Sequence, residues 1–387
     1  MARKLFGIFL YWRLFLFVPL FAASLVLPAR RHYEYTLLQY YIGSDSPINH
    51  FFLIPFGNFD SVYYLMIAGA GYTINAGFFP LFPLLLRAIS MPFGKVDPFY
   101  PIQFVLAFLL VNVLAFGAIW LLYKLIRLDY AKEIATESVL AFLFFPAAFF
   151  LVCFYSEGLF VFLTALSFYF ARRKNWAGAG IAGILLTATR IVGIAIVPAL
   201  LWEWYSWWRN ETKRTLRTLL VSLIPVLLTP LGLIAYMAYN YVKWSDVIFF
   251  IHAQGTFLNN RSVSSVVLFP QTMFRYLKIL TSVSSMQYEW WIALLELVSV
   301  LFVLLFLLLA WQKKVRTSYL LFAVLAFLIP ASTGTFTGMP RYVMVLFPLF
   351  IATALLKNKT IRYSIYTVFF LLQILLIFLF AKGYFVA

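Results

Sequence analysis

Carboxylates are scarce in this chain, thirteen Asp and Glu against thirty Lys and Arg in 387 residues, so an acid beside an apolar run needs a reason to be there. Asp60 heads such a run in Asn58-Phe59-Asp60-Ser61-Val62-Tyr63-Tyr64-Leu65-Met66-Ile67-Ala68. A short carboxylate at the start of an apolar helix can cap its first free N–H groups. It can equally take a proton from a hydroxyl as a general base, and one residue can do both. Glu157 lies in Phe154-Tyr155-Ser156-Glu157-Gly158-Leu159, a hairpin too tight to carry the charge far from the apolar segments on either side. A charge so placed is costly unless it pairs or works. Its natural partner is Arg190, in Thr187-Ala188-Thr189-Arg190-Ile191, at similar depth on the next connection of the same side. Arg341, in Gly338-Met339-Pro340-Arg341-Tyr342, closes a third short hairpin. A planar guanidinium there can grip a phosphate through two parallel bonds, or simply snorkel to the lipid headgroups.

The other polar candidates have plainer explanations. Asp45, in Gly43-Ser44-Asp45-Ser46-Pro47, and Asp97, before Pro98, sit in turn sequences where a short side chain caps backbone groups. His32, His50 and His252 are far apart and lack close-spaced ligand partners, which leaves a metal site unsupported. His252, in His252-Ala253-Gln254-Gly255, is either a substrate contact or an interfacial histidine. The single cysteine, Cys153, lies in an apolar run, so no disulfide framework is expected. There is no glycine-rich phosphate loop, Walker lysine or dinucleotide fingerprint, so no cofactor is expected and chemical energy must arrive with a substrate or a gradient.

These residues have to be positioned by elements that live in a bilayer. With 64% hydrophobic, 20% aromatic and only 11% charged residues, the chain cannot cover a soluble fold with polar surface. The net charge of +17 comes in short clusters between apolar runs rather than on one polar face, which argues against a nucleic-acid partner. A crossing helix needs about 20 apolar residues. Eleven spans are read on that basis, near 5–27, 100–123, 135–154, 157–171, 176–190, 191–206, 218–240, 290–311, 317–333, 342–356 and 360–381. The stretch 176–206, interrupted by Arg190, is either two short helices meeting at the outer face or one broken helix. The basic start Arg3-Lys4 before Leu5 to Leu27 outlines a signal peptide, but the run is too long for a typical h-region and is filled with aromatics, so it is read as a retained first span.

Placing the N-terminus in the cytoplasm puts most Lys and Arg, including Lys124, Arg127, Arg172-Arg173-Lys174 and Lys313-Lys314, on short inner connections. That is the bias the positive-inside rule demands. Two long segments, about 28–99 and about 241–289, then face outward, on the same side as the Glu157, Arg190 and Arg341 hairpins. Within the first, Phe51-Phe52-Leu53-Ile54 and the run Phe78 to Leu86 are too apolar for water and too short to span, so they read as interfacial helices. Clusters such as Trp202/Trp204/Trp207/Trp208 fall near span ends, as an interfacial belt does. No internal repeat is visible, and the expectation is one all-α, polytopic membrane domain over residues 1–387.

Several blocks now stand in order. The first outer segment carries Asn58-Phe59-Asp60, Tyr63-Tyr64, Ile67-Ala68, Gly71-Tyr72 and Phe78-Phe79-Pro80-Leu81-Phe82-Pro83-Leu84. Then come Phe145-Pro146 with Tyr155-Ser156-Glu157, Thr187-Ala188-Thr189-Arg190 with Gly193, and Arg341-Tyr342 with Phe347-Pro348. Together they resemble the bacterial and eukaryotic GPI mannosyltransferase II (PIG-V-like) family, with Phe59 standing where that family carries Trp before the aspartate.

The resemblance implies a GT-C-type membrane glycosyltransferase that takes a hexose, mannose by preference, from a polyprenyl-phosphate donor. The acceptor would be a glycolipid, a glycan or a protein, and the lipid tail would enter laterally between spans. Asp60 would be the general base of an inverting displacement, while Arg341 or Arg190 would stabilise the departing phosphate. Glu157 would orient an arginine or bind sugar hydroxyls, and Asn58, Tyr64, Tyr342 and His252 complete the expected substrate-binding set. A short chain without appended domains points to a bacterial plasma membrane, or the endoplasmic reticulum if eukaryotic, with the site on the outer or lumenal face. Two rival readings are a lipid or sugar transporter, for which Glu296 is the main mid-span acid, and a catalytically silent scaffold.

Overall fold

Helices form here where apolar runs continue, and some stop just short of a proline, as before Pro28 and Pro146, because the residue before a proline is driven out of the helical region. The computed structural model describes residues 2–42, 53–73, 75–94, 97–212, 214–256 and 261–387. Asp45, His50 and the Phe51-Phe52 pair lie outside the described residues.

The first span is α1 (Ala2–Phe15) running into α2 (Phe17–Val26). The outer segment that follows carries α3 (Asp60–Ala70) and α4 (Leu81–Ser90), with short turns at Leu38–Ile42 and Ile54–Gly57. Asp97 closes the expected turn by accepting from the Phe99 N–H at 3.0 Å. Then come α5 (Pro101–Ile126), α6 (Lys132–Phe144), α7 (Glu157–Arg172), α8 (Trp176–Thr187), α9 (Ile196–Trp208), α10 (Leu216–Leu227) and α11 (Leu231–Trp244). The second outer segment holds α12 (Phe269–Ser282). It leads to α13 (Tyr288–Gln312), α14 (Thr317–Ala331), α15 (Met339–Met344), α16 (Pro348–Ala354) and α17 (Lys359–Phe380).

The protein is thus all-helical and polytopic, but the expected count of eleven full-length spans is not reached. Among the described residues, five segments are long and apolar enough to cross unaided: Ala2–Val26, Pro101–Ile126, Ile191–Trp208, Tyr288–Gln312 and Lys359–Phe380. Leu216–Leu227 with Leu231–Trp244, bent by 46° where Pro230 interrupts, makes a sixth. The expected spans at 135–154, 176–190 and 317–333 give helices of 13, 12 and 15 residues, and the one at 342–356 is broken before Pro348. At 1.5 Å per residue, such helices reach only about 18 to 23 Å, short of the roughly 30 Å hydrocarbon core. Irregular backbone completes the path, which a membrane tolerates only when protein surrounds it. Accordingly every residue from Phe145 to Phe160 is buried.

The stretch 176–206 resolves into two helices. Their far ends meet, with the Trp176 and Trp207 rings 5.2 Å apart, so the chain turns back on itself at Ala188 to Arg190. Charges segregate to the two ends of the bundle. Asp129 with Arg172 (2.6 Å), Glu203 with Arg316, and Glu137 with Arg362 (3.6 Å) gather at one end. Asp60 with Arg341, Glu157 with Arg190, and Arg30 with Glu289 (2.9 Å) gather at the other. These are the two sets that charge bias assigned to opposite faces. Glu296 inside α13 and Arg13 inside α1 stand apart from both sets. Arg13 is 4% exposed within the first span, its Nε donates to Asn112 Oδ1 at 2.9 Å, and its guanidinium lies 4.0 to 5.0 Å from the Phe56, Phe17 and Phe108 rings.

Candidate active site

The helix that bears Asp60 is set by its neighbours on both sides. Asn58 is buried, and both ends of its side chain hold backbone. Its Oδ1 accepts from the Leu38 N–H at 3.1 Å, and its Nδ2 donates to the Phe380 and Ala381 carbonyls at 3.3 and 3.4 Å. Its own carbonyl accepts from the Tyr155 hydroxyl at 3.2 Å. Phe59 then takes φ 55° and ψ −121°, a conformation that costs a non-glycine residue about 1–3 kcal/mol. Packing of the Phe59 ring against Phe380, 5.2 Å between centroids, and a 2.6 Å bond from its N–H to the Thr36 carbonyl hold it there.

Phe59, not Asp60, is therefore the cap position of α3, and no side chain caps this helix. Asp60 is its first residue, and its carboxylate turns away from the helix toward Arg341. The capping role that the sequence allowed is not the one the side chain takes.

From Asp60 a line of alternating charges runs inward. Arg341 Nη1 donates to Asp60 Oδ2 at 2.5 Å. The Arg341 Nε lies 3.3 Å from Glu157 Oε1, and Arg190 Nη1 donates to that same oxygen. Exposure falls from 30% of the Asp60 side chain through 11% for Arg341 to 2% for Glu157, and Arg190 beyond it is 13% exposed. The two carboxylates and two guanidiniums cancel, which is how so much charge can sit among apolar helices. Asp60 is the open end. Its Oδ1 makes no hydrogen bond among the described residues, and neither does Arg341 Nη2. At the deepest point of the line Glu157 Oε2 is buried and likewise without a partner among them.

Aromatic residues wall this line. The Arg341 guanidinium carbon is 5.6 Å from the Phe150 ring centre and 5.2 Å from that of Tyr155. Tyr64, on α3, pairs its hydroxyl with Ser156 Oγ at 2.9 Å and packs edge-on against Phe78 and Phe82. Burial, followed by the nearby Glu157 carboxylate, raises the Tyr64 pKa, so the hydroxyl stays a neutral donor. Tyr342 presents its ring to Arg190 at 5.0 Å and its hydroxyl to Arg261 Nη1 at 3.1 Å.

Of the residues expected to form the site, Asp60, Glu157, Arg190, Arg341, Tyr64 and Tyr342 come together. Asn58 is beside them, but its side chain is committed to backbone. His252 joins none of these bonds: its Nδ1 sits 2.6 Å from Asp246 Oδ2, at the far end of α11. Sequence reasoning missed Arg261, which reaches Tyr342 from the second outer segment, and Tyr155, whose hydroxyl receives the Asp60 N–H at 3.2 Å. Tyr155 stood in the same block as Glu157 and could have been found there. No spacing pattern points to Arg261.

A cluster with an open carboxylate oxygen beside guanidinium donors can take a proton from a hydroxyl while balancing an anionic group. A family model described as mannosyltransferase (PIG-V) matches residues 43–247, more than half of the 387-residue chain. Asp60, Glu157 and Arg190 fall within that stretch, and Arg341, Tyr342 and Arg261 lie beyond it. No curated protein and no solved structure matches the chain.

Proposed function

The chain belongs to the mannosyltransferase (PIG-V) family, and on that premise we propose that it carries mannose from a polyprenyl-phosphate donor to a hydroxyl of a glycolipid or glycan. It is a multi-pass membrane enzyme that transfers a mannosyl group from a donor to an acceptor. That membership sets aside the transporter and scaffold readings.

Donor class, roles and sidedness are our reading. Asp60 Oδ1 takes the proton of the attacking acceptor hydroxyl. The oxygen attacks the anomeric carbon from the face opposite the phosphate, and the configuration inverts. Arg341, through the Nη2 that makes no hydrogen bond among the described residues, and Arg190 balance the charge that grows on the departing phosphate. Glu157 keeps the two guanidiniums in place, and its Oε2 is suited to a sugar hydroxyl. Residues 1–387 act as one unit on the outer or lumenal face, with the shorter helices completing eleven crossings.

The observation that carries this reading is the 2.5 Å bond from Arg341 to Asp60, which ties a proton acceptor with one open oxygen to a phosphate-binding group in a single geometry. The test is transfer of radiolabelled sugar from a panel of polyprenyl-phosphate sugars to membrane acceptors. Arg341→Gln should raise the KM for donor more than for acceptor, and an equal rise in both would assign Arg341 a structural role.

A further inference from the structure

Glu296 lies inside α13, a crossing helix, and is 3% exposed. A carboxylate buried at that depth must have its oxygens satisfied. The bonds go to neutral donors: the Tyr276 hydroxyl donates to Oε2 at 2.5 Å, and the Gly338 N–H donates to Oε1 at 3.1 Å. The Tyr276 hydroxyl in turn receives the Phe336 N–H at 3.0 Å and lies 3.1 Å from Thr335 Oγ1. One acid and one phenol therefore hold Thr335, Phe336 and Gly338 at once.

Those residues form the irregular link between α14 and α15. Gly334 and Gly338 both take positive φ, 82° and 79°, so the link has no regular pattern of its own to fix its path. The second outer segment clasps it at further points. Arg275 Nη1 donates to the Gly334 carbonyl at 3.1 Å, Arg261 Nη2 to the Thr337 carbonyl at 3.0 Å, and the Val267 N–H to the Ser332 carbonyl at 3.0 Å. Gly338 is the cap of α15, and the Arg341 N–H bonds back to its carbonyl at 3.1 Å. What fixes Gly338 therefore fixes the start of the single helical turn that aims Arg341 at Asp60.

We propose that Glu296 and Tyr276 are positioning residues for Arg341, holding its guanidinium in the register in which it reaches both Asp60 and the donor phosphate. The assignment rests on the reading of Arg341 as a ligand of that phosphate. It gives the mid-span acid a reason to be buried: its two oxygens can accept both bonds, where an amide has one accepting oxygen and one donating nitrogen.

The test is a double-mutant cycle on full-length enzyme in detergent or proteoliposomes, read as kcat/KM for a polyprenyl-phosphate mannose donor. Glu296→Gln keeps side-chain size but cannot accept from both Tyr276 and Gly338. In the native background it should cost about ten-fold in kcat/KM for donor, the scale of a sub-ångström misplacement, with the KM for acceptor unchanged. In an Arg341→Lys background, where no planar fork remains to be aimed, the same change should cost almost nothing. Tyr276→Phe should behave alike, and it serves in both backgrounds if Glu296→Gln does not fold. Equal losses in the two backgrounds, or KM values for donor and acceptor rising together, would overturn the assignment and leave Glu296 a stability residue. If Arg341→Lys alone has native kinetics, Arg341 is not the phosphate ligand, and the reading beneath the assignment falls with it.

Discussion

Asp60 and Arg341 stand 281 residues apart in the chain, yet Arg341 Nη1 meets Asp60 Oδ2 at 2.5 Å. In the proposed reaction this bond couples the two halves of the chemistry. As the Asp60 carboxylate gains the acceptor's proton, it loses the charge that holds the guanidinium, just when the departing phosphate gains charge. The arginine's attraction can shift from one anion to the other without either being left unbalanced.

Asp60→Asn should fold and bind the lipid donor but transfer nothing measurable, since an amide keeps the shape and cannot take the proton. Donor binding and sugar transfer, measured on the same preparation, separate the two. Native turnover in this variant would remove Asp60 as the base.

Arg190→Gln leaves the 2%-exposed Glu157 side chain with only the more distant Arg341 contact. Stripping one partner from a buried pair typically costs about 3–5 kcal/mol, whereas removing both charges costs less. Glu157→Gln added to Arg190→Gln should therefore recover part of the loss in thermal unfolding followed by tryptophan fluorescence. A double variant less stable than Arg190→Gln alone would show that the pair is not the reason Glu157 is tolerated.

Arg13 should be replaceable by an apolar chain of similar length. Its cation has no carboxylate partner, and its Nη1 and Nη2 are buried without hydrogen bonds among the described residues. The ring contacts offset this only by about 2 kcal/mol. Arg13→Met, which keeps the volume and packs well on aromatic faces, should unfold at the native temperature or above it, while Arg13→Ala should lose about 2–4 kcal/mol through the cavity it opens. A large loss with Met would show that the charge itself is needed.

At Phe59 the usual order of alanine and glycine should reverse. Both variants lose the ring packing on Phe380, but only glycine takes φ 55° without strain. Phe59→Gly should be more stable than Phe59→Ala by about 1 kcal/mol, measured by the same unfolding assay. If alanine is the more stable, the backbone at this position relaxes in solution.

The sequence made legible whatever depends on depth and local spacing. The tight hairpins of Glu157 and Arg190 leave the two charges a single depth at which to sit, and they meet in the fold. The helical class and the two faces followed from apolar content and charge bias, and the ion pairs sort to two ends as that bias required. Illegible were contacts fixed by long-range packing. Nothing near Asp60 points to residue 341, and a positive φ at Phe59, which removes Asp60 from the cap, depends on where α17 ends. Hydropathy counts apolar residues whether or not they stay helical, so it reads the shorter helices, such as Lys132–Phe144 before Pro146, as longer than they are. Arg261, Tyr276 and Glu296 lie in no recurring pattern, since their work is to hold backbone.

The grip of Asn58 on the Phe380 and Ala381 carbonyls has a consequence for how the enzyme is made. The loop that carries Asp60 is seated by the end of α17, and Arg341, which Asp60 meets, lies only some forty residues before that end. A growing chain therefore threads the helices up to α14 into the bilayer before Arg341 exists to meet Asp60, and the loop stays unmoored until α17 has been made.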